Sequence, residues 1–289
     1  MNAPMIHPGW HLPQENIVHG VSLEMTAKDI ESLDKAAGLI PKDIPIAVTF
    51  LAGESAEMRI AACKRIRLLG CEPMPHFSAR RITSEHDFLE YLHAAVGEAG
   101  VRRCFVIAGD SAQPEGPYAD SMALVRTGAF EQAGIKVIGI AGHPEGHPNM
   151  SPAQCLAVLR EKCSEITARG MAPLIVTQFA FDAPHTLAWL AQLRREGIDA
   201  PVRLGVPGPA GIKTLVRFAA RCGVGASTSV LSKYGISIGS LLGSAGPDKF
   251  LNELERGLGP EHGLVRLHFY PFGGLEKTAQ WIADYARAH

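Results

Sequence analysis

The 289-residue chain has no C-x-x-C pair, no Gly-rich phosphate loop of the G-x-G-x-x-G or Walker type, and no H-E-x-x-H. No apolar run approaches the roughly 20 residues that span a bilayer. Each absence excludes a class. Six cysteines, at Cys63, Cys71, Cys104, Cys155, Cys163 and Cys222, are scattered too widely for a disulfide framework or a zinc site. They read as buried thiols in a reducing compartment. A doubly wound nucleotide fold would normally carry a phosphate loop after its first strand, and none is present. With 28 Lys and Arg against 29 Asp and Glu, no net field draws nucleic acid or an acidic membrane. The opening "MNAPMIHPGWHLPQENIVHG" has no basic stretch followed by an apolar core, so no signal peptide is read and a cytoplasmic location is expected.

What the chain does have is alternation. Short apolar runs recur as "HGVSLEM", "IPIAVTF", "CEPMPHFS", "RRCFVIAG", "KVIGIAG", "APLIVTQF", "PVRLGVPG" and "LVRLHFYPF". Between them lie segments such as "SAEMRIAACKRIRLLG" and "APHTLAWLAQLRREG", with apolar residues at three-to-four spacing. Strands alternating with helices imply parallel βαβ units, and eight of them spaced by roughly 25–35 residues predict an α/β fold of the (β/α)8 TIM-barrel type. The expectation is one barrel domain over 1–289, with 1–18 as an N-terminal extension. The long gap between strands 7 and 8, "GVGASTSVLSKYGISIGSLLGSAGPDKFLNELERG", predicts extra helices.

Barrel chemistry gathers where strands end. Those ends carry Glu24, Thr49, His76, Gly109–Asp110, His143, Glu145, His147, Gln178 and His268. One polar strand end is the ordinary material of a helix cap; seven ends on one face point to an active site. His143 and His147 are four apart, as zinc ligands on a helix often are, but Pro144, Gly146 and Pro148 oppose a helix there and no metal is expected. His86, His93 and His185 fall in predicted helices and read as surface or core. A carboxyl such as Glu24 in a poorly solvated mouth is expected to have a raised pKa.

In order along the chain, "VSLEMT", "IAVTF", "PHFSAR", "VIAGD…GPYAD", "PEGHP", "TQFAFD" and "LHFYPF" resemble the strand-end motifs of the methylenetetrahydrofolate reductase family, over nearly the whole sequence. The resemblance implies a tetrahydrofolate derivative as substrate, a hydride from NAD(P)H, and FAD across the barrel mouth. It implies Glu24 as the acid that protonates a departing nitrogen, and Asp110 as a charge beside the pterin and the cofactor ring. Gln178 would read the pterin edge and Phe218 would pack on the ligand. Thr49, His76, Gly109, Asp110, Tyr118, Ala119, His143 and His147 match cofactor contacts. A homo-oligomer is expected.

The sequence also departs from the family pattern. Ala108 replaces the Arg of an Arg-Gly-Asp motif, and His143 replaces a Tyr. "CLAVLREKC" lacks the Asp and Asn expected near the ribose and pyrophosphate, and Gly273–Gly274 stand where many relatives have Asn-Arg. FAD is therefore expected to bind weakly or not at all, with direct hydride transfer from NAD(P)H as the extreme case; Arg102, Arg103 and Lys162 are candidate compensating cations. Two alternatives are a pterin-dependent methyltransferase of the same fold and a non-catalytic folate-binding barrel.

Overall fold

The structure, a computed structural model, describes residues 16–221 and 244–289. Most of the expected N-terminal extension and much of the expected helical insert, 222–243, lie outside the described residues. All eight anticipated strands form: β1 (Ser22–Met25), β2 (Pro45–Val48), β3 (Glu72–Ser78), β4 (Arg103–Ile107), β5 (Val137–Gly142), β6 (Ala172–Phe179), β7 (Val202–Pro207) and β10 (Val265–Tyr270). They close into one parallel barrel in the order β1-β10-β7-β6-β5-β4-β3-β2. Two short strands, β8 (Ala210–Gly211) and β9 (Ser244–Ala245), pair antiparallel outside it.

Alternation along each strand divides the core in two. Ala47, Met74, Phe105, Leu174 and Val176 fill the barrel interior as one cluster. Their neighbours Ile46, Phe77, Val106, Ile175 and Leu204 face outward into the layer shared with the helices. The β-branched runs of the sequence are thus strands buried on both faces, which is why they read as nearly continuous apolar stretches.

The helices are α1 (Ile30–Ala36), α2 (Ala56–Leu68), α3 (Glu85–Ala99), α4 (Ser121–Arg126), α5 (Ala129–Gln132), α6 (Pro152–Ala168), α7 (Ala183–Arg195), α8 (Ile212–Arg221), α9 (Asp248–Gly257) and α10 (Leu275–Ala288). Several start at a side-chain cap that also ends the preceding mouth loop. Ser55, Ser84, Asp120 and Asp182 each accept from a backbone N–H of the first turn. Ser151 and Gln154 form a reciprocal capping box with Pro152 between them. These caps fix where each βα loop hands over to its helix, and so fix the rim of the mouth. Both α8 and α9 fall in the gap between β7 and β10, in line with an enlarged connection there.

Candidate active site

On β1 the outer core takes Leu23 and Met25, so Ser22 and Glu24 face the barrel interior. Glu24 sits at the mouth with its side chain 16% exposed: largely dry, yet reachable. Its Oε2 lies 3.4 Å from His76 Nε2 and 3.7 Å from His268 Nε2. Closure of the barrel brings β10, and so His268, beside β1. On the other side β2 intervenes, but its residue opposite Glu24 is Ala47, which leaves room for His76 of β3 to approach. Phe105 fixes the His76 ring edge-on at 4.6 Å between centroids. Ser22 Oγ holds His268 Nδ1 at 2.8 Å, and Tyr270 packs edge-on against the same ring at 4.9 Å.

The expected raised carboxyl is not what this arrangement gives. Burial pushes Glu24 upward, but the adjacent imidazoles of His268 and His76 outweigh it and bring the carboxyl down to about 2. Burial lowers His268, with Glu24 partly opposing the shift. Both Nε2 atoms are buried and without a hydrogen-bond partner among the described residues, so the imidazole–carboxylate contacts are long. Ser22 Oγ lies 3.4 Å from the Leu267 carbonyl. A hydroxyl that donates there accepts from Nδ1–H of His268, which leaves Nε2 facing Glu24. Glu24 and His268 stand close enough that their titrations are coupled.

Nearby strand ends carry more unused polar atoms. Thr49 Oγ1 and Ser78 Oγ are buried without partners among the described residues. Gly109 has φ +93°, and a Cβ there would stand 2.1 Å from Ser78 Oγ. Only glycine lets the β4 end pass this close to β3. Asp110, in contrast, belongs to a different constellation: its exposed carboxylate pairs with Arg81 Nε at 2.8 Å. The neighbouring Arg80 donates to the carbonyl oxygens of Ala119 and Ser111 at 2.8 and 3.4 Å, which ties down the loop after β4. Tyr118 is buried edge-on against Phe88, placing its ring in the packing layer between that loop and α3.

The loop "HPEGHP" divides its labour. Glu145 Oε1 accepts from the N–H groups of Phe181 and Asp182, and His185 Nε2 meets the Pro144 carbonyl at 2.9 Å, so the β5 and β6 loops are locked together. Glu145 is therefore a structural residue. His143 and His147 stand edge to face at 4.8 Å. Burial, then His147 and Lys162, lower His143 to about 4, and burial with Lys162 lowers His147. Lys162 of α6, itself lowered by burial, is the cation of this corner. Arg102 and Arg103 open β4, at the end of the strand opposite the mouth, so they cannot substitute for a mouth arginine. Among the described residues no three His, Cys, Asp or Glu side chains converge as metal ligands would.

On the far wall, Thr177 Oγ1 accepts from Gly205 N–H at 2.8 Å and Tyr270 OH donates to the Thr177 carbonyl at 2.9 Å. These side-chain bonds replace regular ladder bonds where the β6–β7 register shifts between Val176 and Phe179. The irregularity presents Gln178, half-buried, at the mouth; its Oε1 accepts from Phe179 N–H at 3.1 Å. Next to it runs an aromatic wall. Tyr270 and Phe272 stack at 5.8 Å, and Phe272 stacks on Phe218 at 4.1 Å and 12°. Sequence reasoning singled out Phe218 but missed Phe272, Arg80 and Arg81. The "PF" after the last strand was the available signal for the first, and the doubled arginine in "SARR" for the others.

A closed barrel with its polar groups gathered at the carboxyl ends of the strands is the architecture in which (β/α)8 proteins carry out small-molecule chemistry. The profile described as methylenetetrahydrofolate reductase matches residues 23–239, and the chain belongs to that family. It is 26% identical over 189 residues to the 5,10-methylenetetrahydrofolate reductase of Pectobacterium carotovorum subsp. carotovorum, covering 65% of this chain and 61% of the relative. It is 25% identical over 183 residues to methylenetetrahydrofolate reductase (NADH) 1 of Arabidopsis thaliana, covering 59% of this chain and 31% of that protein. The matched region thus spans less than two thirds of either relative. Among solved structures, an uncharacterized Clostridium thermocellum protein that binds two copies of 5-methyl-5,6,7,8-tetrahydrofolic acid shares the fold, with a TM-score of 0.65 at 11% identity over 93% of this chain and 94% of that one. No helix among the described residues is long and apolar enough to cross a membrane.

Proposed function

We propose that this protein reduces 5,10-methylenetetrahydrofolate to 5-methyltetrahydrofolate with a hydride that originates on NAD(P)H. The observation that carries the reading is the Glu24–His76–His268 cluster in the mouth of a barrel of this family. The reaction needs one proton and one hydride. Protonation of the departing nitrogen breaks its bond to the bridging methylene and leaves an iminium at the other nitrogen; hydride addition to that carbon completes the methyl group. A positioned proton donor contributes about 10²–10⁴-fold to such a step. Glu24 is the most open member of the cluster, at 16% against 7% for His76 and 0% for His268, and the two imidazoles stand behind it. Ligand binding dries the mouth, which disfavours the carboxylate and favours uptake of a proton by Glu24.

Gln178 supplies an amide to the pterin edge, and Asp110 a negative charge near the rim. The residues present fit a flavin or nicotinamide group: Thr49 and Ser78 offer unused buried hydroxyls, Gly109 a bare backbone, and Lys162 with His147 a donor corner. When bound, that group supplies the hydride; Tyr118, Ala119 and His143 would border it. FAD is the family's usual group. A tetrahydrofolate derivative is the partner this reading requires, and homo-oligomeric assembly goes with it.

The test is oxidation of NADH or NADPH by purified protein, with and without added FAD, measured in the presence and absence of methylenetetrahydrofolate. Substrate-dependent oxidation is expected. Its absence with both nicotinamides, under both flavin conditions, would leave the methyltransferase or the non-catalytic binding barrel as the better reading.

A further inference from the structure

We propose that Arg217 on α8 binds the acidic tail of the folate and sets the preference for substrates that carry it. This inference rests on the folate reading above. From the Glu24 cluster outward, contacts run in an unbroken line. His268 touches Tyr270 at 4.9 Å, Tyr270 stacks on Phe272 at 5.8 Å, Phe272 stacks on Phe218 at 4.1 Å, and the Arg217 guanidinium caps the Phe218 ring at 5.5 Å. The chemistry along this line changes from proton-bearing to aromatic to cationic. A folate changes in the matching order, from a basic pterin through a benzoyl ring to one or more glutamate carboxylates.

The end of β10, which lies against the start of the α8 segment, cannot supply that cation itself. A Cβ on Gly273 would fall 2.0 Å from the Pro209 carbonyl oxygen, and Gly274 has φ +104°, so neither position holds a long side chain without moving backbone. Arg217 has the opposite properties. It is exposed, and its planar guanidinium is suited to a forked bond with a carboxylate. Lys213, four residues earlier on the same face of α8, is exposed as well and adds positive charge beside it. Contact with the Phe218 face limits the conformations open to the Arg217 side chain, which reduces the ordering cost of binding.

The experiment compares two ligands on two proteins: 5-methyltetrahydrofolate and the corresponding methyltetrahydropteroate, which lacks glutamate, titrated against wild type and Arg217→Ala by calorimetry. Wild type should prefer the glutamate-bearing ligand. Arg217→Ala should lose roughly tenfold or more for that ligand, as expected for removing one charge-assisted hydrogen bond, and change little for the pteroate. The pteroate arm reports on the aromatic wall, so a displaced Phe218 would weaken both ligands equally and overturn the assignment. Wild type that binds tetrahydrofolate with Arg217→Ala indistinguishable from it overturns this inference alone. Wild type that binds neither ligand overturns the folate reading and this inference with it.

Discussion

Glu24 and His268 face each other across the junction that closes the barrel, carboxylate Oε2 to imidazole Nε2 at 3.7 Å, with the imidazole fully buried and backed by Ser22. A carboxylate this close to an imidazole that solvent cannot reach is held in its ionised form. The lowered Glu24 pKa follows from His268 together with His76, which outweigh the effect of burial. In stability terms a depressed carboxyl contributes above its ordinary value of 4.5, and the contribution is lost as pH falls toward about 2.

Replacing Glu24 with Gln keeps the shape and removes the exchangeable proton. Turnover of methylenetetrahydrofolate should fall by at least about 10²-fold, with a much smaller change in folate affinity. Steady-state kinetics beside a binding titration separate the two effects. Near-normal turnover in the variant would move the acid elsewhere.

Gln178 stands at the register shift of β6, and among the described residues its amide oxygen meets only its own neighbour's N–H. Gln178→Ala should weaken tetrahydrofolate binding by about 1–3 kcal/mol, the usual consequence of leaving a polar ligand group unmatched in a closed site. Affinity that survives unchanged, in a variant with wild-type thermal unfolding, would remove Gln178 from the pterin contact.

Much of this was legible in the chain and some was not, for identifiable reasons. The strands could be read because each is buried on both faces and leaves an apolar signature, and the polar residues at the ends of all but β7 mark the mouth. Pairings could not. Ser22 and His268 are 246 positions apart, and only barrel closure makes them neighbours. Without His268 and His76 beside it, Glu24 reads as a lone acid in a dry place, and the direction of its pKa comes out reversed. Asp110 likewise reads as free until the turn Ala79–Arg81 delivers Arg81 to it. "HPEGHP" could not reveal its split between Glu145, which locks two loops, and its two histidines, because the partners of Glu145 lie on the next loop of the barrel.

His143 gives a pH prediction. Burial, with His147 and Lys162 adding to it, lowers this imidazole from 6.5 to about 4 in the folded protein. Between those values the unfolded chain binds a proton that the folded one does not, so stability falls as pH drops through this window and is unaffected by the group above it. His143→Asn should flatten the fall in melting temperature between pH 6.5 and 4. An unchanged slope would show that His143 takes its proton as readily folded as unfolded.

The last prediction concerns the hydride carrier. A flavin dinucleotide brings a charged pyrophosphate, and arginine contacts are among the stronger ways to hold one. Position 108 is Ala, and Arg102 and Arg103 stand at the wrong end of β4. Arg81 is committed to Asp110, and Arg80 donates to loop carbonyls. That leaves Lys162, whose burial already disfavours its charge, with His147 beside it. Hydrogen bonds to charged groups are worth about 1.5–3 kcal/mol each, and every 1.4 kcal/mol or so is tenfold in affinity. Losing even two such contacts would turn a tightly held dinucleotide into one that dialyses away. The freshly purified protein should therefore show little yellow flavin absorbance, and its NAD(P)H-dependent activity should not rise with added FAD, the nicotinamide delivering its hydride directly. Lys162→Ala should weaken whatever dinucleotide binding remains. A stoichiometric flavin that survives extensive dialysis would overturn this and restore transfer in two steps through FAD.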